Sequence, residues 1–371
     1  MENNVWGFKE NNSDYKGDVI NQERIERSVS PNFQKKIFEG KTILITGGTG
    51  SFGNAFIKHV LEHDCPKQII VYSRDEMKQW FMNKEYGNKI LKFVLGDVRD
   101  RKRLSLACKG VDYIVHTAAM KIVHTGEENP PETIKTNILG AMNIIEVALE
   151  NNIEKVIAFS TDKACNPVNL YGATKLCSDK LFVAANSHSP TKRTSFAVAR
   201  YGNVIGSRGS IIPFFLEKKR EGVLPITDER MTRFWITLED GVKFVVNSLR
   251  RMRGGEIFVP KIPSMRIVDL AKAIAPECEI KYIGIKPGEK LHESMIAADD
   301  ARNVIEFEDY YIIQPQFDWW EKDYHVGGKS VSDTFQYVSN TNPKFLTIDD
   351  MVKLVGKHVR AYNEYVHGWK K

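Results

Sequence analysis

A short β-branched run, Lys41 to Thr46, passes directly into a turn with glycines at 47, 50 and 53, and then into an amphipathic helix through about His63. This unit constrains the fold more than any other feature of the chain. The apolar run suits a strand buried on both faces. Glycines at that spacing allow a tight turn and close backbone approach, and the helix start offers free N–H groups to a pyrophosphate. Such a spacing also occurs in merely structural turns; between a strand and a helix it reads as a dinucleotide site. Further short apolar strands follow at Gln68–Tyr72, Leu91–Leu95, Tyr113–His116 and Lys155–Phe159, with helical stretches between them. Strand and helix alternating in this way predict an α/β fold with a doubly wound parallel sheet and right-handed crossovers.

After Tyr201 the alternation loosens. The segments near 211–222, 269–275 and 302–307 do not extend the series and are expected to form a smaller, C-terminal substrate lobe. The expected organisation is an N-terminal extension over residues 1–40, a dinucleotide-binding domain over 41–203, and a substrate-binding lobe over 204–371 with segments interleaved into the first domain. The extension is polar, lacks the apolar core of a signal peptide, and is expected to lie outside the fold, either disordered or packed as an arm. At 371 residues and 42% hydrophobic composition the chain can bury a large core. No apolar run reaches membrane-spanning length. Five cysteines, Cys65, Cys108, Cys165, Cys177 and Cys278, form no C-x-x-C pair and read as free thiols of a reducing, cytoplasmic compartment. The net charge of +6 is spread along the chain, and nothing indicates nucleic-acid or membrane binding. His59 and His63 are four apart without a third ligand nearby, so no metal site is expected.

The end of the second strand bears on the choice of dinucleotide. An NAD enzyme places an acid there to hold the ribose 2′-OH. Here Ser73 and Arg74 come first, an uncharged donor and a cation that suit a 2′-phosphate, with Asp75 and Glu76 one step later. NADP is the expected cofactor. Asp97, after the third strand, fits either a carboxylate beside the adenine or a cap of the next helix.

The chemistry concentrates in Ser160-Thr161-Asp162-Lys163 and the following Tyr171-x-x-x-Lys175. Tyr171 and Lys175 share a helix face. A nearby ammonium and an oxidised nicotinamide ring are expected to lower the Tyr171 pKa, so that the phenolate takes a substrate hydroxyl proton as hydride leaves. Asp162 and Lys163 add an acid and a base, the pair that a β-elimination requires. As a base Lys163 must be a neutral amine, so burial and neighbouring positive charge are expected to lower its pKa.

Longer motifs carry a resemblance. They include Thr46-Gly-Gly-Thr-Gly-Ser-Phe-Gly53, Tyr72-Ser-Arg-Asp-Glu-Met-Lys78, Gly96-Asp-Val-Arg-Asp100, Asn166-Pro-Val-Asn-Leu-Tyr-Gly-Ala-Thr-Lys175, Arg200-Tyr-Gly-Asn-Val-Ile-Gly-Ser-Arg-Gly-Ser210 and Pro287-Gly-Glu-Lys-Leu-His-Glu293. From about Lys41 to about Leu354 the chain resembles the extended short-chain dehydrogenase/reductases, with their NAD(P)-binding Rossmann fold. Within them it resembles the inverting UDP-N-acetylglucosamine 4,6-dehydratases of pseudaminic acid biosynthesis. The resemblance implies oxidation at sugar C4 with Tyr171 as base, removal of the C5 proton by Lys163, and loss of the 6-hydroxyl as water with Asp162 as acid. Hydride then returns to C6 and C5 is reprotonated on the opposite face. The implied product is UDP-2-acetamido-2,6-dideoxy-β-L-arabino-hexos-4-ulose. It also implies that Thr161 belongs to the catalytic set. Gly47, Thr49, Gly50, Ser51, Phe52, Gly53, Ser73, Arg74, Asp75, Lys78, Asp97, Val98, Thr117, Tyr171 and Lys175 would meet NADP. Lys121, Thr161, Asn203, Arg208, Gly209, Ser210, Ile211, Ile212, Pro213, Arg233 and Glu289 would line the UDP-sugar site. A homo-oligomer, dimer or higher, is implied as well. The chain departs from the family pattern after the fourth strand, where Ile122 and Glu128 change polarity near the expected sugar. A retaining dehydratase, a UDP-sugar epimerase and a non-catalytic NADP sensor are the alternatives.

Overall fold

The computed structural model describes residues 36–189, 193–207, 209–320 and 325–356. Most of the expected extension, residues 1–35, lies outside them, as does Arg208. Phe38, within the stretch expected outside the fold, is buried edge-on between Phe56 and Tyr113.

The first half alternates as the apolar runs predict. Strands β1 (Thr42–Thr46), β2 (Gln68–Ser73), β3 (Leu91–Leu95), β4 (Tyr113–His116), β5 (Lys155–Thr161) and β6 (Ser195–Tyr201) are interspersed with helices α1 (Ser51–His63), α2 (Glu76–Tyr86), α3 (Arg101–Ala107), α4 (Gly140–Glu150) and α5 (Leu170–Ala184). All six strands are parallel, in the order β3-β2-β1-β4-β5-β6. Strand order reverses between β1 and β4, and ligands of open α/β sheets bind at such a switch point, beyond the carboxyl ends of the strands. Every residue of β1 and β4 is buried, as two-sided covering by helices demands. β3, at the sheet edge, alternates between buried Leu91 and Val94 and exposed Lys92 and Leu95.

β6 was not singled out by the sequence. Beyond it the sheet continues with Ile257–Pro260, parallel to β6, and then Tyr310–Ile313, Val304–Glu306 and Lys329–Ser330, each antiparallel to its neighbour. The segment near 302–307, expected in the lobe, is thereby corrected to a strand of the large sheet. Its three-residue strand pairs with Tyr310–Ile313, a tight antiparallel partner that a βα count does not anticipate.

A second apolar cluster gathers Ile205, Ile212, Phe215, Leu224, Trp235, Met265, Leu270 and Met351. Helices Ile211–Lys218 and Ile267–Ile274 pack there with the parallel pair Val223–Ile226 and Glu279–Tyr282. Among the described residues no helix is long and apolar enough to cross a membrane.

Candidate active site

The glycine turn joins β1 to α1 at the switch point. Gly47 has φ +64°, and a Cβ on Gly53 would lie 2.1 Å from the Gly48 carbonyl oxygen. The turn therefore folds back on the helix start at a distance only glycine permits. Gly50 is the N-cap of α1, with no side chain capping it and no acid in the first turn, which leaves N–H groups and a positive helix end toward an anion. Thr49 is buried, and Ser51 and Phe52 open the helix, Phe52 standing edge-on to Phe159 at 4.2 Å. Thr117 closes the turn from β4, its hydroxyl donating to the Thr46 carbonyl at 2.7 Å. The backbone cradle suits a pyrophosphate.

Around the expected adenine end the carboxylates have definite tasks. Asp75 caps α2 by accepting from the Lys78 N–H at 2.9 Å, and pairs with the Lys78 ammonium at 2.6 Å. The Ser73 hydroxyl is buried and accepts from Gln79. Asp97 accepts from the Arg99 N–H at 2.9 Å and from its guanidinium, with Arg74 at 3.5 Å. These hydrogen bonds outweigh partial burial and hold its carboxyl below the usual range. Asp97 is not the cap of α3: Asp100 is, accepting from the Arg103 N–H. Val98 is buried below this point.

At the end of β5, Asp162 and Lys163 sit in a single 3₁₀ turn, Asp162–Ala164. A Cβ on Gly172 would lie 2.2 Å from the Lys163 carbonyl oxygen, so this glycine lets α5, with Tyr171 and Lys175, press against the turn that carries the acid and the lysine. α5 begins where it does because Asn169 accepts from the Gly172 N–H at 2.8 Å and Glu127 accepts from the Leu170 N–H at 2.6 Å.

Thr161 is the hub. Its hydroxyl donates to Asp162 Oδ1 at 2.9 Å and accepts from the Lys163 N–H at 3.3 Å, and it pulls the Tyr171 pKa down. The Lys163 Nζ stands 3.0 Å from Asp162 Oδ1 and 3.2 Å from Glu293 Oε1. Asp162 Oδ2 and Glu293 Oε2 are both buried with no hydrogen-bond partner. Burial is the largest influence on Asp162 and raises its pKa, Lys163 pulling the other way. For Glu293 the neighbouring cations Lys163, Arg233 and Lys290 outweigh burial and lower it.

One expectation is corrected here. The Lys163 pKa is raised, not lowered: burial alone would depress it, but the Asp162 and Glu293 carboxylates outweigh burial, so Lys163 rests as an ammonium. Burial pushes the Tyr171 phenol up to about 12, and the cation pulling against that is Lys163. Lys175 is buried and its pKa is lowered by that burial, with Asp179 opposing.

The remaining substrate candidates fall in different places. Asn203 lies in a short strand paired with Trp235. Gly209, at φ +71°, and Ser210, whose buried hydroxyl has no partner, precede the helix of Ile211 and Pro213. The Ile212 side chain points into the second cluster, so it offers a ligand nothing but backbone. Lys121 and Ile122 are exposed on the loop after β4. The Arg233 guanidinium is buried, donating to the carbonyls of Thr232, Leu291 and Lys290, with its Nε 3.6 Å from Glu293 Oε1. It braces Glu293 and is not free to grip a diphosphate. Glu289 sits in a turn, its carboxylate 3.4 Å from the Lys286 N–H.

Three residues escaped the sequence reading. Glu293 does so although it ends the Pro287–Glu293 motif. Asn137, in a π-helical turn (Lys135–Leu139), links the Met120 backbone to Thr174 on α5. Asp179 accepts from Ser160 at 2.6 Å and from Arg200 at 3.1 Å, and Arg200 donates to the Met295 carbonyl. No local pattern marks them: Asn137 follows Lys135 and Thr136, Asp179 lies between Ser178 and Lys180, and Glu293 between His292 and Ser294, so only the fold brings them to the site.

A family model described as polysaccharide biosynthesis protein matches residues 43–315, spanning both the glycine turn and the acid–base cluster. The chain belongs to this family. It is 54% identical over 328 residues to a Campylobacter jejuni protein named UDP-N-acetylglucosamine 4,6-dehydratase (inverting), covering 86% of this chain and 98% of the relative. It is 43% identical over 285 residues to a Rickettsia canadensis protein named UDP-glucose 4-epimerase, 75% of this chain and 84% of the relative. Among solved structures it resembles Pen from Bacillus thuringiensis, with TM-score 0.80 and 33% identity over 87% of this chain and 99% of that one.

Proposed function

We propose that this member of the family is an inverting UDP-N-acetylglucosamine 4,6-dehydratase that uses NADP. The observation that carries the reading is the buried Thr161–Asp162–Lys163 cluster packed against Tyr171, together with the 54% identical relative of that name. A 4-epimerase has no use for an acid at C6. Asp162 fits that acid: burial raises its pKa, and Oδ2 is buried with no partner within the protein. Tyr171 would take the 4-hydroxyl proton, and the Lys163–Glu293 pair would handle the C5 proton. A bound nicotinamide dinucleotide supplies the hydride acceptance and return that a dehydration without net oxidation requires. The glycine cradle would hold its pyrophosphate. NADP is favoured because Asp75 is occupied as cap and ion-pair partner of Lys78, while the Arg74 side chain is more than half exposed at the end of β2. Ser210 and the helix start after it would face the UDP-sugar. The five cysteines are free, which suits the cytoplasm, where nucleotide-sugar chemistry would take place in a homo-oligomer.

The test is UDP-N-acetylglucosamine incubated with the protein in D₂O, followed by mass spectrometry and NMR. Loss of one water, deuterium at C5 and ring couplings of the L-arabino configuration are expected. Unchanged mass with an altered C4 signal would favour the epimerase reading, which the Rickettsia relative keeps in view. No change with any UDP-sugar would leave a nucleotide-binding sensor.

A further inference from the structure

Removing water across C5–C6 needs one group that gives a proton and another that takes one. Asp162 is the giver. The taker that the motif suggests, Lys163, already carries its proton, held between Asp162 Oδ1 at 3.0 Å and the Glu293 carboxylate at 3.2 Å. The second of these is built in from afar. Glu293 has 3% side-chain exposure, its N–H donates to Ser339 Oγ at 2.9 Å, and its carbonyl accepts from the Ser339 N–H at 2.8 Å. Its Oε2 is buried and unpartnered, an oxygen with room for a proton. The charged and titratable groups around the pair are Asp162 and Tyr171 from the β5–α5 side, Arg233 from the strand Thr232–Ile236, and Lys290, whose ammonium is bonded to the Cys165 carbonyl.

We propose that Glu293 is a positioning residue that receives the ammonium proton of Lys163, so that Lys163 becomes the amine that removes the C5 proton. This rests on the dehydratase reading and deepens it. The Lys163 N–H bond breaks and an O–H bond forms on Glu293. The freed lone pair takes the proton from C5, and the C5–H electron pair becomes the C5–C6 double bond. The C6–O bond breaks, and the departing hydroxyl takes the Asp162 proton and leaves as water. Asp162 ends as a carboxylate, Glu293 as a carboxylic acid and Lys163 as an ammonium, so the charge of the site is unchanged.

The test compares wild type, Glu293→Gln and Glu293→Asp in D₂O from about pH 6 to 10, spanning the ordinary lysine range. Two steps are followed: reduced-nicotinamide absorbance on adding substrate, which reports C4 oxidation, and water loss with C5 deuteration. For Glu293→Gln, C4 oxidation is expected to persist while water loss falls ~100-fold near neutrality, the size of a lost acid–base contribution. Water loss should then recover as pH rises, because hydroxide removes the Lys163 proton that the glutamine cannot accept. Glu293→Asp keeps the carboxylate one methylene further back and should slow water loss about tenfold, with a wild-type pH profile. Water loss by Glu293→Gln at the wild-type rate, or equally depressed at every pH, overturns the proposal. If that variant does not fold, Glu293→Asp decides: both steps unchanged overturns it. A wild-type protein that forms no dehydrated product would instead overturn the dehydratase reading itself.

Discussion

The two ends of this site solve their problems by opposite means. At the end of β1 the chain offers a dinucleotide its backbone: three glycines, a helix start and no charged side chain in the first turn. At the end of β5, where the proposed reaction places the sugar, it gathers titratable side chains packed so closely that each sets the charge of the next. The first arrangement is local and nearly indifferent to pH. The second depends on a carboxylate delivered from the C-terminal half of the chain and on an arginine that holds it there. Pyrophosphate binding asks for fixed N–H dipoles, which one contiguous turn supplies. Elimination asks for groups that change protonation, which requires neighbours arranged in space.

The largest expected effect falls on the charged end. Lys163→Met should lower dehydration by ~10²–10⁴-fold, as loss of a general base does, while leaving nucleotide affinity intact. Single-turnover mass analysis beside a nucleotide titration would check it; equal loss of both would erase the contrast between the two ends.

A matched pair of glycine substitutions sharpens the contrast. Gly53→Ala and Gly172→Ala each force a Cβ into backbone, at 2.1 and 2.2 Å. Each should cost ~1–3 kcal/mol of stability, the usual scale for overpacking. The first should abolish nucleotide-dependent thermal stabilisation. The second should keep it yet lose dehydration, because it separates Lys163 from the Tyr171 helix.

His116, beside the glycine turn, tests the claim that this end is insensitive to pH in the working range. It is buried, bonded to Thr46 at 2.9 Å, and burial lowers its pKa to about 3 from an ordinary 6.5. Its folded value is depressed, so its contribution is fully present above 6.5 and is lost as pH falls toward 3. Between those limits stability should fall by ~1.4 kcal/mol per pH unit on its account. His116→Gln should flatten that part of a denaturant-measured stability curve and leave neutral-pH activity within a few-fold.

The smallest effect is expected at the exposed rim. Arg74→Ser should weaken NADP relative to NAD by about tenfold, ~1.4 kcal/mol at most for a solvent-screened contact. Calorimetric titration with both dinucleotides would read it, and an unchanged ratio would remove Arg74 from cofactor selection.

Much of this molecule was legible in the chain. The strands β1 to β5 follow from short apolar runs because the sheet buries β1 and β4 throughout and most of β2 and β5, and even the edge strand β3 keeps Leu91 and Val94 inside. The glycine turn, the shared face of Tyr171 and Lys175, and the pairing of Asp162 with Lys163 all lie within a few residues, where spacing alone dictates geometry. The antiparallel edge at Val304–Glu306 was not legible, because a three-residue strand carries too little pattern to reveal its partner. Nor was the role of Arg233, which as a residue type promised a diphosphate grip and in the structure spends its donors on three carbonyls.

The sequence by itself determined the parallel sheet, the glycine turn between β1 and α1, and the nearness of Asp162, Lys163 and Tyr171, since each depends on neighbours along the chain. Tertiary structure alone decided the protonation of those groups. Lys163 read in sequence is a base to be made neutral by burial and positive surroundings. Folded, it lies between Asp162 and Glu293, and their pull outweighs burial because Coulomb attraction strengthens as water is excluded. No spacing in the chain encodes that distance; only the packing of the Glu293 segment, pinned by Ser339 and Arg233, against the end of β5 does.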